Sequence, residues 1–437
     1  MSLSMYLLYT ALLAGWLLVS LPYWLIQMGR HGKYRAGLAG RLGKLPPRLM
    51  APWSKPVIWV HAVSVGEVLA VSGLVTELSR FPEHQVFIST TTDTGQKLAR
   101  KRFGEDNVFY FPLDFAFAIR PYLQALRPQL IVIAETEFWP NFLRLAKEAG
   151  ARIAVVNARI SDRSFPGYRR LRRWLTRVLA NVDLFVTQTD EDRRRLLEIG
   201  AAAQRVEVTG NLKFDISPPA PPPIVGCLRN AFHEAGASPV LVCGSTVDGE
   251  EPLLLRAFEN VLASHPRALM ILAPRHPERF VEVAALLSKL GVRFWKRSLW
   301  SGEPIAGGVF LVDTIGELAV LYSLGTLAFV GGSLVPRGGH NIIEPAQYGV
   351  PIIVGTHTDN FRDIVGLFQS RNAVKVVGPA ELPLAFMELI SDEAERVALG
   401  RRAAETLRAQ QGATQRTVAA LEGILPLKTA LPTAGSE

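Results

Sequence analysis

Seven residues near the middle of the chain, Ser217-Pro-Pro-Ala-Pro-Pro-Pro223, constrain its fold more than any others. Proline has no backbone N–H and fixes φ at about −65°, so such a run fits neither a central strand nor a helix interior. It reads as a stiff linker. The 437 residues are too many for one ordinary domain, and the run divides them into two similar lengths.

Both sides carry the same pattern. Before the run, apolar stretches at 56–63, 85–90, 129–135, 152–158 and 183–188 alternate with helix-like segments such as 68–81 and 118–126. After it they recur at 239–245, 268–274, 309–313, 326–332 and 351–355, and 391–423 reads as helix. Near-continuous apolar strands alternating with helices form parallel sheets covered on both faces. The expectation is an α/β protein with two Rossmann-like domains facing a central cleft, since ligands bind at the carboxyl ends of such strands. The expected boundaries are an N-terminal anchor 1–29, a first domain 30–217, a Pro-rich linker and entry 218–238, a second domain with the C-terminal helices 239–425, and a flexible tail 426–437.

Residues 1–29 hold no charged side chain, and 5–25 are almost wholly apolar, long enough to span a bilayer core as one helix. A cleaved signal peptide fits less well, because no basic residue precedes the run and no small-x-small site closes it. The expectation is an uncleaved, single-pass anchor. Arg30, Lys33, Arg35, Arg41, Lys44, Arg48 and Lys55 then arrive before the first acid, Glu67. The body is expected to face the cytoplasm, with this run against anionic headgroups. A second basic cluster, Arg159, Arg163, Arg169, Arg170, Arg172, Arg173 and Arg177, interleaves with Phe165, Tyr168 and Trp174. It suits a lipid surface better than nucleic acid. The two clusters account for much of the net charge of +9. With only Cys227 and Cys243, a disulfide framework and a multi-cysteine metal site are excluded.

Chemistry-bearing residues gather where strands end. Past His61, Ser64 and Gly66 suit a tight turn at a helix amino terminus, where backbone N–H groups favour anions. Glu67 there is either a site carboxylate or a capping residue. Glu135 and Glu137 follow the strongest strand, and strand alternation would turn one of them to the cleft and the other away. Lys213, in the segment 210–215, is either a phosphate partner or a surface residue. In the second half, Cys243-Gly-Ser245-Thr246 opens the first helix with small residues, in the manner of a nucleotide-sugar loop. Pro274, Arg275 and His276 follow a strand, where Arg275 and His276 suit a phosphate clamp. Ile315, Gly316 and Glu317 lie in another strand-end turn. The strongest signal is 330–345. Gly338 and Gly339 permit close backbone approach, His340 suits a phosphate or ribose contact, and Asn341 opens a helix. Glu344 lies one turn in, where a carboxylate can take two ribose hydroxyls. There is no paired-Asp element, no histidine pair, no GxGxxG and no GxxxxGK[ST], so metal, dinucleotide and ATP readings lack support.

The motifs HAVSVGE (61–67), ETEFWPN (135–141), NARISDRS (157–164), GNLKFD (210–215), PRHPERF (274–280) and GGSLVPRGGHNIIEP (331–345) resemble the Kdo (3-deoxy-D-manno-octulosonic acid) transferases of lipid A biosynthesis, membrane-anchored glycosyltransferases of GT-B fold. The resemblance runs from the apolar segment to about residue 420. It implies inverting transfer of Kdo from CMP-Kdo to a lipid A precursor of the lipid IVA type, in lipopolysaccharide core biosynthesis, without a metal or other cofactor. It implies that Glu67 is the general base, that Glu135 helps stabilise the transition state, and that Lys213 matches the lysine of the family's GNLKF motif. CMP contacts fall on Pro274, Arg275 and His276, on Ile315, Gly316 and Glu317, and on Asn341, Ile342, Ile343 and Glu344. Ser245, Gly339 and His340 are counted with them. Ser64, Gly66, Arg159 and Arg163 are counted with the acceptor. One departure stands out: Ala39-Gly40-Arg41-Leu42-Gly43 lacks the acid that many members carry there in the form GERYG, which bears on acceptor positioning. The rival readings are another lipid-linked glycosyltransferase or a nucleotide-sugar epimerase of the same fold, and a non-catalytic membrane protein that binds lipid A precursors.

Overall fold

The structure, a computed structural model, describes residues 3–31, 37–50, 53–215 and 222–425. Lys33 and Arg35 of the basic run, most of the proline run (216–221) and the tail 426–437 lie outside the described residues. The chain forms two compact units, Met1–Ile216 with Gln411–Glu437, and Ser217–Gln410.

The first unit holds a seven-stranded sheet of β1 Val57–His61, β2 Gln85–Thr90, β3 Val108–Tyr110, β4 Pro128–Ala134, β5 Arg152–Ala158, β6 Leu184–Thr187 and β7 Val206–Val208, in the order 3-2-1-4-5-6-7. The second holds β8 Val240–Thr246, β9 Leu269–Pro274, β10 Phe294–Lys296, β11 Gly308–Leu311, β12 Leu327–Val330, β13 Ile352–Val354 and β14 Lys375–Val376, in the order 10-11-9-8-12-13-14. Strand pairing is parallel throughout. Each sheet reverses direction beside its first strand, between β1 and β4 and between β8 and β12, where open α/β sheets bind ligands. The ten strands expected from apolar runs are present. The four not expected, β3, β7, β10 and β14, are all edge strands of two or three residues, too short to show a period. The central strands are buried on both faces. Along β1, Val57 and Trp59 join one apolar layer with Phe87, Phe109 and Phe142, while Ile58 and Val60 join the other with Val68, Ile88 and Val132.

Three sequence-based expectations change. The stretch 391–423 is not one helix: it contains the end of Leu382–Ser391, then Glu393–Arg408 and Ala413–Glu422. The last of these packs on the first unit, so the second domain does not extend to 425. The Asp215 carboxylate accepts the N–H groups of Gly412 (2.7 Å) and Thr414, and Ala413 and Leu421 join the layer of Val68 and Leu74. The apolar pattern marks a helix's buried face and does not say which sheet receives it. Next, the stretch 218–238 is not all linker, because Pro223–Ala235 is a helix. Proline is tolerated at its first position, where the missing N–H has no intrahelical partner to lose. Finally, the arginine-rich segment forms two helices, Phe165–Arg170 and Arg172–Leu179. Its Phe165, Tyr168 and Trp174 pack against the core while the arginines stay outside with Leu171, so the aromatic residues do not form a surface stripe with them.

At the amino terminus, Leu3–His31 is one helix, apolar enough over Ser4–Ile26 to cross a membrane.

Candidate active site

In the first unit, Ser64 caps the helix Val65–Leu78 that follows β1. Glu67 folds back on it. Its Oε2 accepts the Val63 N–H at 2.8 Å and its Oε1 accepts the Ser64 hydroxyl at 3.1 Å. The Ser64 Oγ in turn accepts the Glu67 N–H. This is a variant of the capping box, in which the carboxylate takes the Val63 N–H and the Ser64 hydroxyl instead of the Ser64 N–H. It occupies N–H groups that were expected to attract an external anion. Gly66 keeps ordinary helical geometry, and a Cβ there would meet only the Ser64 Oγ at 3.8 Å, so no tight turn demands glycine. Glu67 is 8% exposed, and burial pushes its carboxyl up to about 7; the Val63 N–H opposes this, while Glu135 and Glu137 add to it.

Strand alternation does not separate Glu135 from Glu137. Residues two apart share a face of an extended strand, and here β4 already ends at Ala134, with Glu135 at φ 55°. Both carboxylates act on Glu67. Burial raises the pKa of Glu137, and Glu135 raises it further. The Lys213 ammonium lies 3.4 Å from Glu135 Oε1. Its segment is held by Asn157 at the end of β5, whose Oδ1 accepts the Leu212 N–H at 3.0 Å, and by Asn211, whose Oδ1 accepts the Lys213 N–H at 3.0 Å. Glu67, Glu135, Glu137 and Lys213 therefore gather above the carboxyl ends of β1 and β4. Beneath them, the His61 ring stacks on Phe111 at 3.8 Å, its Nδ1 meets Ser89 Oγ at 2.9 Å, and burial lowers its pKa to about 3. It is a neutral floor, not a titrating base. Thr136 Oγ1 donates to the Arg159 carbonyl and ties that residue to the glutamate turn. Arg163 is exposed, ahead of the two basic helices.

In the second unit, Cys243-Gly-Ser245-Thr246 is the end of β8 and does not open a helix, which begins at Glu251. Ser245 is buried with φ 56°. The loop after β12 is held by Glu250, a residue that no motif in the sequence singles out. Glu250 is buried, and its carboxylate accepts the N–H groups of Val247 (3.0 Å), Gly332 (2.7 Å), Ser333 (2.9 Å) and Leu334 (2.9 Å). A Cβ on Gly331 would lie 2.6 Å from the Ser245 carbonyl, so the approach of this loop to β8 requires glycine.

Arg275 and His276 stand exposed past Pro274, which ends β9, and the Arg275 N–H is fixed by the Thr246 carbonyl at 2.9 Å. Burial, then the charges of Arg275 and His276, lowers the pKa of His340 to about 4. Its buried Nε2 has no hydrogen-bond partner among the described residues. Gly339 takes φ 75° and donates to the Gly332 carbonyl at 2.7 Å. Asn341 accepts the Ile343 N–H at 3.1 Å and opens the short helix Ile343–Ala346. Burial raises the pKa of Glu344, against the Asn341 amide and Arg275. The structure thus brings Arg275, His276, His340, Asn341 and Glu344 together. The side chains of Ile342 and Ile343 are core residues, which leaves only their backbone for a ligand. Ile315 is exposed and Gly316 takes φ 93°, whereas Glu317 is engaged by Arg297 at 2.9 Å and by the Thr314 hydroxyl. Among the described residues, no group of three or more His, Cys, Asp or Glu is placed to hold a metal ion.

Residues 36–216 match the family described as 3-Deoxy-D-manno-octulosonic-acid transferase (kdotransferase). The chain is 36% identical over 420 residues to a 3-deoxy-D-manno-octulosonic acid transferase of Bordetella pertussis, covering 91% of this chain and 95% of that one. It is 34% identical over 399 residues to the protein of the same name from Haemophilus influenzae, covering 90% and 92%. Among solved structures, a UDP-GlcNAc 2-epimerase from Neisseria meningitidis superposes with a TM-score of 0.58 at 15% identity, covering 84% of this chain and all of that one. At that identity the likeness is one of fold alone.

Proposed function

This chain belongs to the 3-deoxy-D-manno-octulosonic acid (Kdo) transferase family and is a glycosyltransferase of GT-B type, and on that premise we propose that it moves Kdo from CMP-Kdo to a lipid A precursor of the lipid IVA type. The observation that carries the reading is the Glu67 carboxyl, buried, held by two hydrogen bonds and poised at about 7 beside Glu135. A general base works best with a pKa near the operating pH.

Ionised Glu67 takes the proton of the acceptor hydroxyl as that oxygen attacks the anomeric carbon of Kdo. The new C–O bond forms on the face opposite CMP, the bond to the CMP phosphate breaks, and its electron pair leaves with CMP. The configuration inverts. Glu135 and Glu137 offset the positive charge that develops on the sugar ring, and Lys213 holds Glu135 in place. The second unit takes the nucleotide: Arg275 and His276 bind its phosphate, and Glu344 and Asn341 its ribose. This scheme uses no metal. The helix Leu3–His31 attaches the protein to the cytoplasmic face of the inner membrane. Arg163, Arg169, Arg170, Arg172, Arg173 and Arg177 meet the phosphates of the acceptor and of anionic lipid.

The test is to incubate the purified protein with CMP-Kdo and a tetra-acylated, bis-phosphorylated lipid A precursor and to weigh the lipid. A gain of one or more Kdo masses with release of CMP is expected. CMP-Kdo that stays intact, or turnover supported instead by a uridine nucleotide sugar, overturns the proposal.

A further inference from the structure

No step of the proposed transfer uses the turn between β2 and the helix Asp93–Phe103, yet that turn meets the one that carries the base. Residues 62 and 63 belong neither to β1 nor to the helix Val65–Leu78, so no regular structure fixes Val63. Its conformation matters, because its N–H donates to Glu67 Oε2 at 2.8 Å. The bonds that hold Val63 come from across the sheet. Its carbonyl accepts the Thr91 N–H at 3.1 Å, the Thr92 N–H at 3.0 Å and the Thr92 hydroxyl at 3.2 Å. A carbonyl oxygen has two lone pairs, and three donors converge on this one.

The donors are themselves braced. The Arg41 guanidinium donates to the Thr91 carbonyl and lies 4.8 Å from the centre of the Tyr110 ring. That carbonyl and the Thr92 N–H belong to one peptide group, so a charged donor on one side strengthens the bond made on the other. The Thr92 hydroxyl has two tasks. It donates to Val63, and it accepts the Gly95 N–H at 3.1 Å, which caps the helix. A Cβ on the buried Gly95 would lie 2.8 Å from that hydroxyl oxygen and 3.3 Å from the Ser64 carbonyl carbon. The absence of a side chain at 95 is what lets the helix come this close to the turn of the base.

We propose that Thr92 is a positioning residue for the general base: with Thr91 it clamps the Val63 carbonyl, and Val63 in turn aims the Glu67 carboxylate at the acceptor hydroxyl. The Val63 N–H favours the ionised form of Glu67, whereas burial and the charges of Glu135 and Glu137 oppose it. Lys213 pairs with Glu135, and His61 beneath is neutral. On the side of the threonine turn, Arg41 is engaged by Thr91, and Asp93 accepts the Tyr110 hydroxyl at 3.0 Å. A looser Val63 therefore costs aim and shifts Glu67 toward its protonated form. This inference rests on the role of Glu67 proposed above.

The test compares, in the full chain, Thr92→Val, which keeps the shape and loses the hydroxyl, with Thr92→Ser, which keeps the hydroxyl. Arg41→Met joins them, because it weakens the bond from the same peptide to Val63 and leaves the helix cap intact. Two readouts are taken. An NMR titration of side-chain carboxyls in protein labelled at glutamate, with the Glu67 signal assigned by Glu67→Gln, gives the midpoint of Glu67 without turnover. The transfer assay with CMP-Kdo and the lipid A precursor gives kcat and KM across pH. In Thr92→Val the midpoint is expected to rise by about half a pH unit. The plateau of kcat should fall about fivefold, the worth of one hydrogen bond, with both KM values little changed. Thr92→Ser should restore both, and Arg41→Met should move the midpoint in the same direction. A lower melting temperature in Thr92→Val, with midpoint and kcat as in the wild type, makes Thr92 a helix cap alone and overturns the proposal. An unmoved midpoint with a raised KM for the acceptor puts the hydroxyl on the substrate and overturns it too. If the wild type transfers no Kdo, the role of base falls, and the NMR midpoint alone still decides whether Thr92 acts on Glu67 through Val63.

Discussion

Replacing Glu67 by Gln separates what this carboxyl does for catalysis from what it costs the fold. Its pKa stands at about 7 against 4.5 for the free side chain, chiefly through burial. Between those two values the folded chain keeps a proton that the unfolded chain has released. Stability therefore falls as pH rises through that window, which is the reverse of the usual salt-bridged acid. At about 1.4 kcal/mol per pH unit, the loss across it is about 3 kcal/mol. Gln has no proton to lose, and its amide oxygen still accepts one of the two hydrogen bonds. The expected result is a variant as stable as the wild type at about pH 4.5 and more stable by about 3 kcal/mol at about pH 8. Over the same range, transfer falls by about 100-fold or more, the typical worth of a general base. Urea unfolding at both pH values, read beside the transfer rate, checks both halves. A stability difference that does not grow with pH refutes the burial argument, and full transfer by the variant refutes the role of base.

The rate of the wild type should rise with pH and level off above about 7, since the base acts ionised; Glu135→Gln removes a charge that raises the pKa of Glu67, so kcat/KM plotted against pH should level off earlier, at a lower plateau. Lys213→Ala breaks an ion pair in which both side chains are about a third exposed, so the expected stability change is under about 1 kcal/mol while turnover drops at least tenfold, as a melting curve and a rate will show. Glu250→Ala leaves four N–H groups without their acceptor and should destabilise the second unit by about 3 kcal/mol or more, with a raised KM for CMP-Kdo; unchanged amide exchange at 332–334 contradicts this.

The sheets were legible because β1, β4, β5, β8 and β9 are buried on both faces and must be apolar along their whole length. The edge strands β3 and β14 are three and two residues long, too short to leave such a mark even where, as at Val108 and Phe109, they are buried. Helix Ala413–Glu422 was visible as a helix, yet its partner was not, because Ala413 and Leu421 would suit either sheet. The candidate site divides in the same way. Glu67, Glu135, Arg275 and Glu344 stand in motifs at strand ends and could be picked out there. Asn157 opens the NARISDRS motif, but neither its role nor that of Glu250 could be read there. Each acts through backbone N–H groups far along the chain, the Gly332–Leu334 loop for one and Leu212 for the other, and no local pattern announces such a bond.

The sequence posed Glu67 as a choice between a capping residue and a site carboxylate, and the geometry is compatible with both at once. A carboxylate offers about four lone-pair sites. The Val63 N–H and the Ser64 hydroxyl use two, one on each oxygen, and fix the rotamer. Two remain for an acceptor hydroxyl. Had the cap bonds been the dominant influence, they would have held the pKa below that of a free glutamate, because hydrogen bonds to the charged form favour it. Burial and the nearby Glu135 and Glu137 outweigh them, and the result lies near neutrality. The cap thus supplies position without abolishing basicity. It also accounts for Ser64, whose place in the acceptor set requires no ligand contact: it orients the base. A Ser64→Ala variant should then bind the acceptor with little change in KM and lose kcat, since the carboxylate keeps its burial and loses one of the two bonds that aim it. A raised KM with kcat intact would put Ser64 in direct contact with the acceptor instead.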